Sequence, residues 1–124
     1  MKNIIVGIFI GIIVGLLAGY YIRTKFLTEP IQKDYVKVTV QNKSGQTVKL
    51  LKLNHEKGSV EMQNLANMES VDLIFKNPGE NLYQIFATFD NDSIISSKGE
   101  YVESGYILTE TIFEDRIITD RNTY

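Results

Sequence analysis

Apolar positions fall into two regimes along the chain: a continuous run near the N-terminus and, from Tyr35 onward, an alternation with period two. The run, residues 4–22, holds no charged side chain, and at about 1.5 Å per residue a helix of this length spans a hydrocarbon core about 30 Å thick. Glycine recurs within it at every fourth position, which places these residues on one stripe of the helix. We therefore predict a transmembrane helix whose glycine stripe packs against a second copy or a partner's helix: Gly7, Gly11, Gly15 and Gly19.

The flanks of this run favour an anchor over a cleaved signal peptide. The run exceeds the roughly 7–15 apolar residues of a signal peptide, and no small-x-small cleavage site follows it. Residues 16–19, Leu-Leu-Ala-Gly, resemble the opening of a lipoprotein signal, but Tyr20 stands where that signal requires cysteine. Tyrosines end the run and Arg23 and Lys25 follow, as is typical of a membrane interface. We predict an uncleaved single-pass anchor over residues 1–23. The abundance of isoleucine, lysine and asparagine is typical of an AT-rich bacterial genome, so we expect the membrane to be a bacterial inner (plasma) membrane.

The orientation of this anchor is open to two interpretations. Positive charge is greater on the C-terminal flank than on the N-terminal one, and the positive-inside rule would then keep the C-terminal domain in the cytoplasm. Long domains, however, translocate largely regardless of charge, and a short N-terminal tail before a β-rich domain is typical of signal anchors. We expect the domain on the periplasmic or otherwise extracytoplasmic side. The charges counted are Lys2 against Arg23, Lys25, Lys33 and Lys37.

The alternating region predicts an all-β domain over residues 35–124, joined to the anchor by a polar linker over residues 24–34 that contains Pro30. Val36, Val38 and Val40 alternate with polar residues, which is typical of a half-buried strand. Turn residues separate further short apolar runs at roughly ten-residue spacing, which indicates seven or eight strands in an antiparallel, immunoglobulin-like sandwich. With residues 36–40 they give nine candidate segments, of which we expect seven or eight to form strands. The further segments lie around residues 48–53, 60–62, 71–75, 82–89, 93–97, 100–102, 106–113 and 116–119.

Composition and charge exclude several classes of function. The chain has no cysteine, which excludes disulfides, thiolate metal sites and thiol catalysis. Its net charge of −2 argues against a nucleic-acid binder. Through Lys57 there are nine basic and three acidic residues, and after it four and twelve. The two parts either neutralise each other when their strands pair or leave an acidic recognition face.

Residues suited to catalysis are few. His55, the only histidine, lies in a charged turn, so a histidine dyad or a multi-histidine metal site is not available. Asp90 and Asp92 resemble the start of a calcium loop without its glycine and glutamate, and Glu114 and Asp115 fall at a hairpin tip. No phosphate loop, nucleophile elbow or dinucleotide fingerprint is present. We predict no enzymatic activity, no cofactor, no metal and no small-molecule substrate.

The tyrosines of the second half offer two interpretations. One places a buried hydroxyl near a strand turn, as in a tyrosine corner. The other is an exposed aromatic patch that binds a protein, with Tyr101, Glu103 and Tyr106 as the candidate partner surface. The residues concerned are Tyr83, Tyr101 and Tyr106, with Glu100, Glu103 and Glu110 around them.

Three turn-rich motifs resemble a pattern in small, uncharacterised bacterial single-pass membrane proteins that carry a β-sandwich domain. The resemblance covers most of the β-domain and implies a bacterial envelope protein, with no activity attached to it. The motifs are Asn42-x-Ser44-Gly45, Pro78-Gly79-Glu80-x-x-Tyr83 and Tyr101-Val102-Glu103-x-Gly105-Tyr106.

Together these patterns predict a membrane-anchored, non-catalytic module for protein binding or assembly in the cell envelope. Its expected partners are the membrane and either another protein or a second copy of the chain. The alternative is an immunity or inhibitor protein that blocks a toxin or hydrolase at the membrane through its acidic C-terminal half.

Overall fold

The computed structural model describes residues 2–26 and 33–121, which belong to two compact units, one with the helix and one with the strands. Helix α1 runs over Lys2–Phe26 and so continues past residue 23, where the predicted anchor ends. Its apolar segment Ile4–Ile22 has a mean hydropathy of 2.4 and is 0% buried, so it is long and apolar enough to cross a membrane. A signal sequence near an N-terminus shares these properties. Of the predicted linker, residues 27–32 lie outside the described part.

The second unit consists of strands in two stacked sheets, so the predicted all-β sandwich after one apolar helix is confirmed. Nine strands occur among the described residues, against the seven or eight expected. They are β1 (Tyr35–Asn42), β2 (Val48–His55), β3 (Gly58–Leu65), β4 (Ser70–Lys76), β5 (Asn81–Phe89), β6 (Ile94–Ser96), β7 (Glu100–Val102), β8 (Ile107–Ile112) and β9 (Ile117–Arg121).

The chain changes sheet at four of the eight connections between the described strands. One sheet has the order β4-β1-β8-β9, and the other β3-β2-β5-β6, with β7 also paired to β5. The chain therefore changes sheet between β1 and β2, on both sides of β4, and between β7 and β8. β1 and β8 are parallel, whereas the other strand pairs are antiparallel. Among the described residues, β9 pairs with β8 alone and is therefore an edge strand.

The core lies between the sheets and follows the alternation of the sequence. β1 and β5 alternate strictly, with every second residue buried. Val36, Val38 and Val40 of β1 are 0% exposed, and removing each such side chain from water contributes roughly 1.5–3 kcal/mol. Across from them lie Ile85 and Phe89 of β5, which belong to the same core cluster.

β2 departs from simple alternation. Its register with β5 shifts between Val48 and Leu50, which leaves Lys49 as the extra residue of a β-bulge. The bulge reverses which side chains point inward, so Leu51 and Leu53 are buried while Leu50 is only half-buried.

The turn after β1 is built as its sequence predicts. The Asn42 side chain is fully buried, and its Oδ1 accepts hydrogen bonds from the Ser44 N–H (3.1 Å) and Oγ (2.7 Å). Its Nδ2 donates to the carbonyls of Gln46 (2.7 Å) and Leu65 (3.0 Å), which ties the turn to the end of β3. Gly45 has a φ of 81°, the left-handed conformation that favours glycine.

Candidate functional site

The glycine stripe of α1 is an open surface in the structure of the helix. A Cβ added at Gly7, Gly11, Gly15 or Gly19 would meet nothing within 4 Å. The large apolar side chains along Ile4–Ile22 are exposed as well. The stripe therefore leaves room for a close helix–helix approach, and the packing role of these glycines stays a prediction.

Two of the three residues of the candidate partner surface meet on the outside of the β2–β5 sheet. The Tyr101 hydroxyl donates to Glu103 Oε1 at 2.8 Å, and this hydrogen bond raises the pKa of Tyr101 above its usual value, with a smaller contribution from Glu80. Tyr101 is 37% exposed and lies opposite Leu82, which is 51% exposed. We call Leu82, Tyr101 and Glu103 the Tyr101 surface, an aromatic–aliphatic pair beside a carboxylate.

Tyr106 has a different role. Its ring is half-buried and packs against the core. Its backbone N–H donates to the Glu103 carbonyl at 3.2 Å, and its carbonyl accepts from the Lys37 N–H at 3.1 Å. Tyr106 therefore secures the β7–β8 connection to β1, and the structure does not bring its side chain onto the Tyr101 surface.

A buried polar network links the two sheets. The Tyr83 hydroxyl on β5 donates to Glu110 Oε1 on β8 at 2.6 Å, inside the sandwich. The Thr119 hydroxyl on β9 donates to Glu110 Oε2 at 2.9 Å. Both carboxylate oxygens of a side chain that is 0% exposed are thereby satisfied. Tyr83, Glu110 and Thr119 form what we call the Glu110 network.

Burial controls the ionisation of this network. Desolvation raises the pKa of Glu110, against the two hydroxyl hydrogen bonds, which lower it. Desolvation and then the hydrogen bond to Glu110 raise the pKa of Tyr83 well above its usual range, so the phenol keeps its proton. The tyrosine-corner interpretation holds for the burial of Tyr83 but not for its partner, which is a carboxylate rather than backbone.

An ion pair lies next to the Glu110 network. Arg121 Nη2 on β9 contacts Glu100 Oε2 on β7 at 2.8 Å, which joins the edge strands of the two sheets.

The interpretation of Glu100, Glu103 and Glu110 as a ring of surface acids is wrong for Glu110, which lies in the core. The sequence contained the signal, because Glu110 alternates with Leu108 and Ile112 along a strand.

His55 is half-buried at the end of β2, where the β2–β3 turn begins. Its ring stacks on Phe75 with centroids 4.6 Å apart, and Phe75 in turn lies 6.3 Å from the Tyr83 ring. Burial lowers the pKa of His55, and its Nδ1 accepts the Lys57 N–H at 3.3 Å. This contact assigns an accepting role to Nδ1, so the imidazole stacks on Phe75 and also bonds within the charged turn of residues 55–58 in which the sequence placed it.

The remaining carboxylate candidates are at the surface. Asp92 pairs with Lys49 at 2.8 Å, whereas Asp90, Glu114 and Asp115 are exposed. Across residues 4–22 and 33–121, no group of three or more histidine, cysteine or acidic side chains could hold a metal ion.

Ion pairs in the sandwich join the basic first part of the chain to the acidic second part. Three lysines before Gly58 pair with acids after it, as expected if strand pairing neutralises the two parts. The pairs are Lys37–Asp72 (3.5 Å), Lys49–Asp92 (2.8 Å) and Lys52–Glu61 (3.5 Å).

Comparison with known proteins supports the fold alone. No family model and no curated protein matches the chain. A solved structure that is similar is the NMR structure of a protein from Eubacterium rectale, with 10% identity and a TM-score of 0.58. The match covers 72% of this chain and 91% of that one. A likeness at this identity is compatible with the resemblance to bacterial proteins and assigns no activity.

Proposed function

We propose that the chain is a single-pass, non-catalytic β-sandwich module that binds or assembles proteins in the bacterial cell envelope. The observation that carries the proposal is the helix: Ile4–Ile22 is 0% buried with a mean hydropathy of 2.4. An apolar helix of this length loses its exposure to water only in a membrane or against another apolar partner. In this proposal α1 anchors the sandwich to the plasma membrane, with the sandwich on the extracytoplasmic side.

The Tyr101 surface supplies the contact with protein in this proposal. Tyrosine buries a large area at low conformational cost and is enriched among residues that dominate binding energy. Tyr101 is held in place by its bond to Glu103, so its ring is ordered before a partner arrives. Leu82 adds exposed aliphatic area directly beside it.

A photo-crosslinking experiment in living cells tests this role. A photoreactive phenylalanine analogue at Tyr101 of the full chain is expected to form a discrete crosslinked protein species. The matched control places the same analogue at Gln63, which is exposed on the edge strand β3 of the same sheet. Adding Leu82→Ser to the Tyr101 probe is expected to reduce the crosslinked species. Equal products from the two positions would contradict a binding role for the Tyr101 surface.

The alternative role as an immunity or inhibitor protein depends on an acidic recognition face. The lysine–carboxylate pairs described above use Asp72, Asp92 and Glu61 within the sandwich. No contact in the described part favours this role over protein assembly, and rescue of cells from a neighbouring toxin gene's product would distinguish the two.

A further inference from the structure

A cavity of about 410 Å³ opens at one end of the sandwich, between the β2–β3 turn and the β4–β5 connection. The residues that line it are His55, Lys57, Lys76 and Pro78. The acids of these two connections, Glu56 and Glu80, are exposed and are not among the described lining residues. Lys57 and Lys76 are exposed too, and within the described part of the chain neither forms an ion pair. The described lining therefore presents two ammonium groups and an imidazole without a carboxylate.

The polar side chains that line this cavity are hydrogen-bond donors. His55 Nδ1 accepts the Lys57 N–H at 3.3 Å, so the proton of the neutral imidazole is on Nε2, which can donate. The ammonium groups of Lys57 and Lys76 donate and cannot accept. Donors that carry positive charge suit an anion, above all a phosphate group, whose oxygens are strong acceptors.

A buried amide next to the cavity has an unused donor. Asn81 is 2% exposed, and its Oδ1 accepts the Glu56 N–H at 3.0 Å and the Leu82 N–H at 2.8 Å. These bonds hold the amide against the turn that carries His55 and Lys57. Within the described part, Asn81 Nδ2 is a buried side-chain atom without a hydrogen-bond partner. Unsatisfied buried donors are rare in folded proteins, so this end of the sandwich lacks an acceptor.

The cavity lies where the chain enters the sandwich from the linker. The Asp34 carbonyl accepts the Asn77 N–H at 2.6 Å, and Lys76 lies opposite Tyr35 across the β1–β4 pair. Residues 26–33 span at most about 25 Å, even when fully extended. With α1 anchored in a membrane, so short a tether keeps lipid headgroups at a high effective concentration near this end of the sandwich.

We propose that this cavity, which we call the Lys57–Lys76 site, binds the phosphate group of an anionic lipid headgroup in the membrane that holds α1. The two lysines neutralise the phosphate, and His55 Nε2 donates to one of its oxygens. Lysines close to a membrane surface attract anionic lipids, and the attraction is strongest within a few ångströms of that surface. The inference rests on the proposed function, because it needs the anchored helix, and it adds a lipid contact to the Tyr101 surface.

His55 makes the site directly observable, because it is the only histidine and gives one imidazole Hε1 signal in a proton NMR spectrum. The full chain is placed in nanodiscs of phosphatidylcholine, either alone or mixed with phosphatidylglycerol, and the pKa of His55 is measured from this signal. A third sample adds inorganic phosphate to the phosphatidylcholine nanodiscs. We expect phosphatidylglycerol to raise the pKa of His55 by about 1 unit, because a nearby anion favours the imidazolium. An equal rise with inorganic phosphate would overturn the lipid as the ligand.

Matched lysine variants separate the site from the general charge of the bilayer. Lys57→Gln with Lys76→Gln removes two charges from the site, whereas Lys43→Gln with Lys98→Gln removes two exposed charges outside it. We expect the first variant to lose most of the rise in pKa and the second to keep it. An equal rise in both variants, or none in the wild-type chain, would overturn the proposal. Crosslinking at Tyr101 does not use this site, so the proposed function stands or falls separately.

Discussion

At the scale of single residues, Glu110 shows most clearly how burial and charge compete. Its carboxylate is 0% exposed and accepts hydrogen bonds from Tyr83 and Thr119, yet burial still raises its pKa. The hydrogen bond between Tyr83 and Glu110 links a strand of each sheet, so the ionisation of Glu110 affects the stability of the whole sandwich. The position could be predicted to face inward from Leu108 and Ile112, but its partners could not, because they come from distant strands.

The raised pKa of Glu110 predicts a pH-dependent stability. The group binds its proton more tightly in the folded state than at its usual pKa of 4.5. Its contribution is therefore fully present below about pH 4.5 and is lost as pH rises through the folded-state pKa, by about 1.4 kcal/mol per unit of difference. Glu110→Gln should abolish this dependence. Urea unfolding of the full chain in detergent, followed by near-ultraviolet circular dichroism from about pH 4 to about pH 8, measures it.

His55 also contributes to the pH dependence of stability, so the wild-type protein must be compared with Glu110→Gln. Burial lowers the pKa of His55 from 6.5, so its contribution is present above that value and is lost as pH falls through the folded-state pKa. The two groups therefore act in opposite directions, and the difference between wild type and Glu110→Gln isolates the carboxylate. Identical pH profiles for the two proteins would show that Glu110 does not titrate as described.

At the scale of elements, the predictable part of the fold is the part that local pattern controls. β1 and β5 follow the alternation of their residues, and Gly45 takes the left-handed conformation expected of its turn. The bulge at Lys49 could not be predicted, because the adjacent Leu50 and Leu51 are both apolar, so the pattern of β2 fits either phase. The parallel pairing of β1 with β8 depends on contacts between distant segments, which turn signals do not report.

The glycine stripe supports a prediction about α1 as an element. Gly11→Ile with Gly15→Ile should weaken helix association, because each added side chain keeps the backbones apart on the stripe. A bilayer reporter of helix association measures the effect. The matched control, Ile13→Leu with Leu17→Ile, changes positions away from the stripe and should leave association unchanged. Association that persists in the glycine variant would remove the packing role from these residues.

At the scale of the whole molecule, the account depends on the helix spanning a membrane with the sandwich outside. The length and hydropathy of Ile4–Ile22 could be predicted from the sequence and are found in the structure. The side of the membrane depends on how the chain is inserted, which neither the charges of Lys2, Arg23 and Lys25 nor the fold determines. The proposed binding through the Tyr101 surface takes place on whichever side of the membrane the sandwich occupies.

Fusion of alkaline phosphatase, and separately of green fluorescent protein, after Tyr124 tests this claim most directly. The account predicts an active phosphatase that stays in the membrane fraction, and a dark fluorescent fusion present in equal amount. A bright fluorescent fusion with an inactive phosphatase would place the sandwich in the cytoplasm. An active phosphatase released into the soluble fraction would show that the helix is cleaved. Either of these two results would contradict the account.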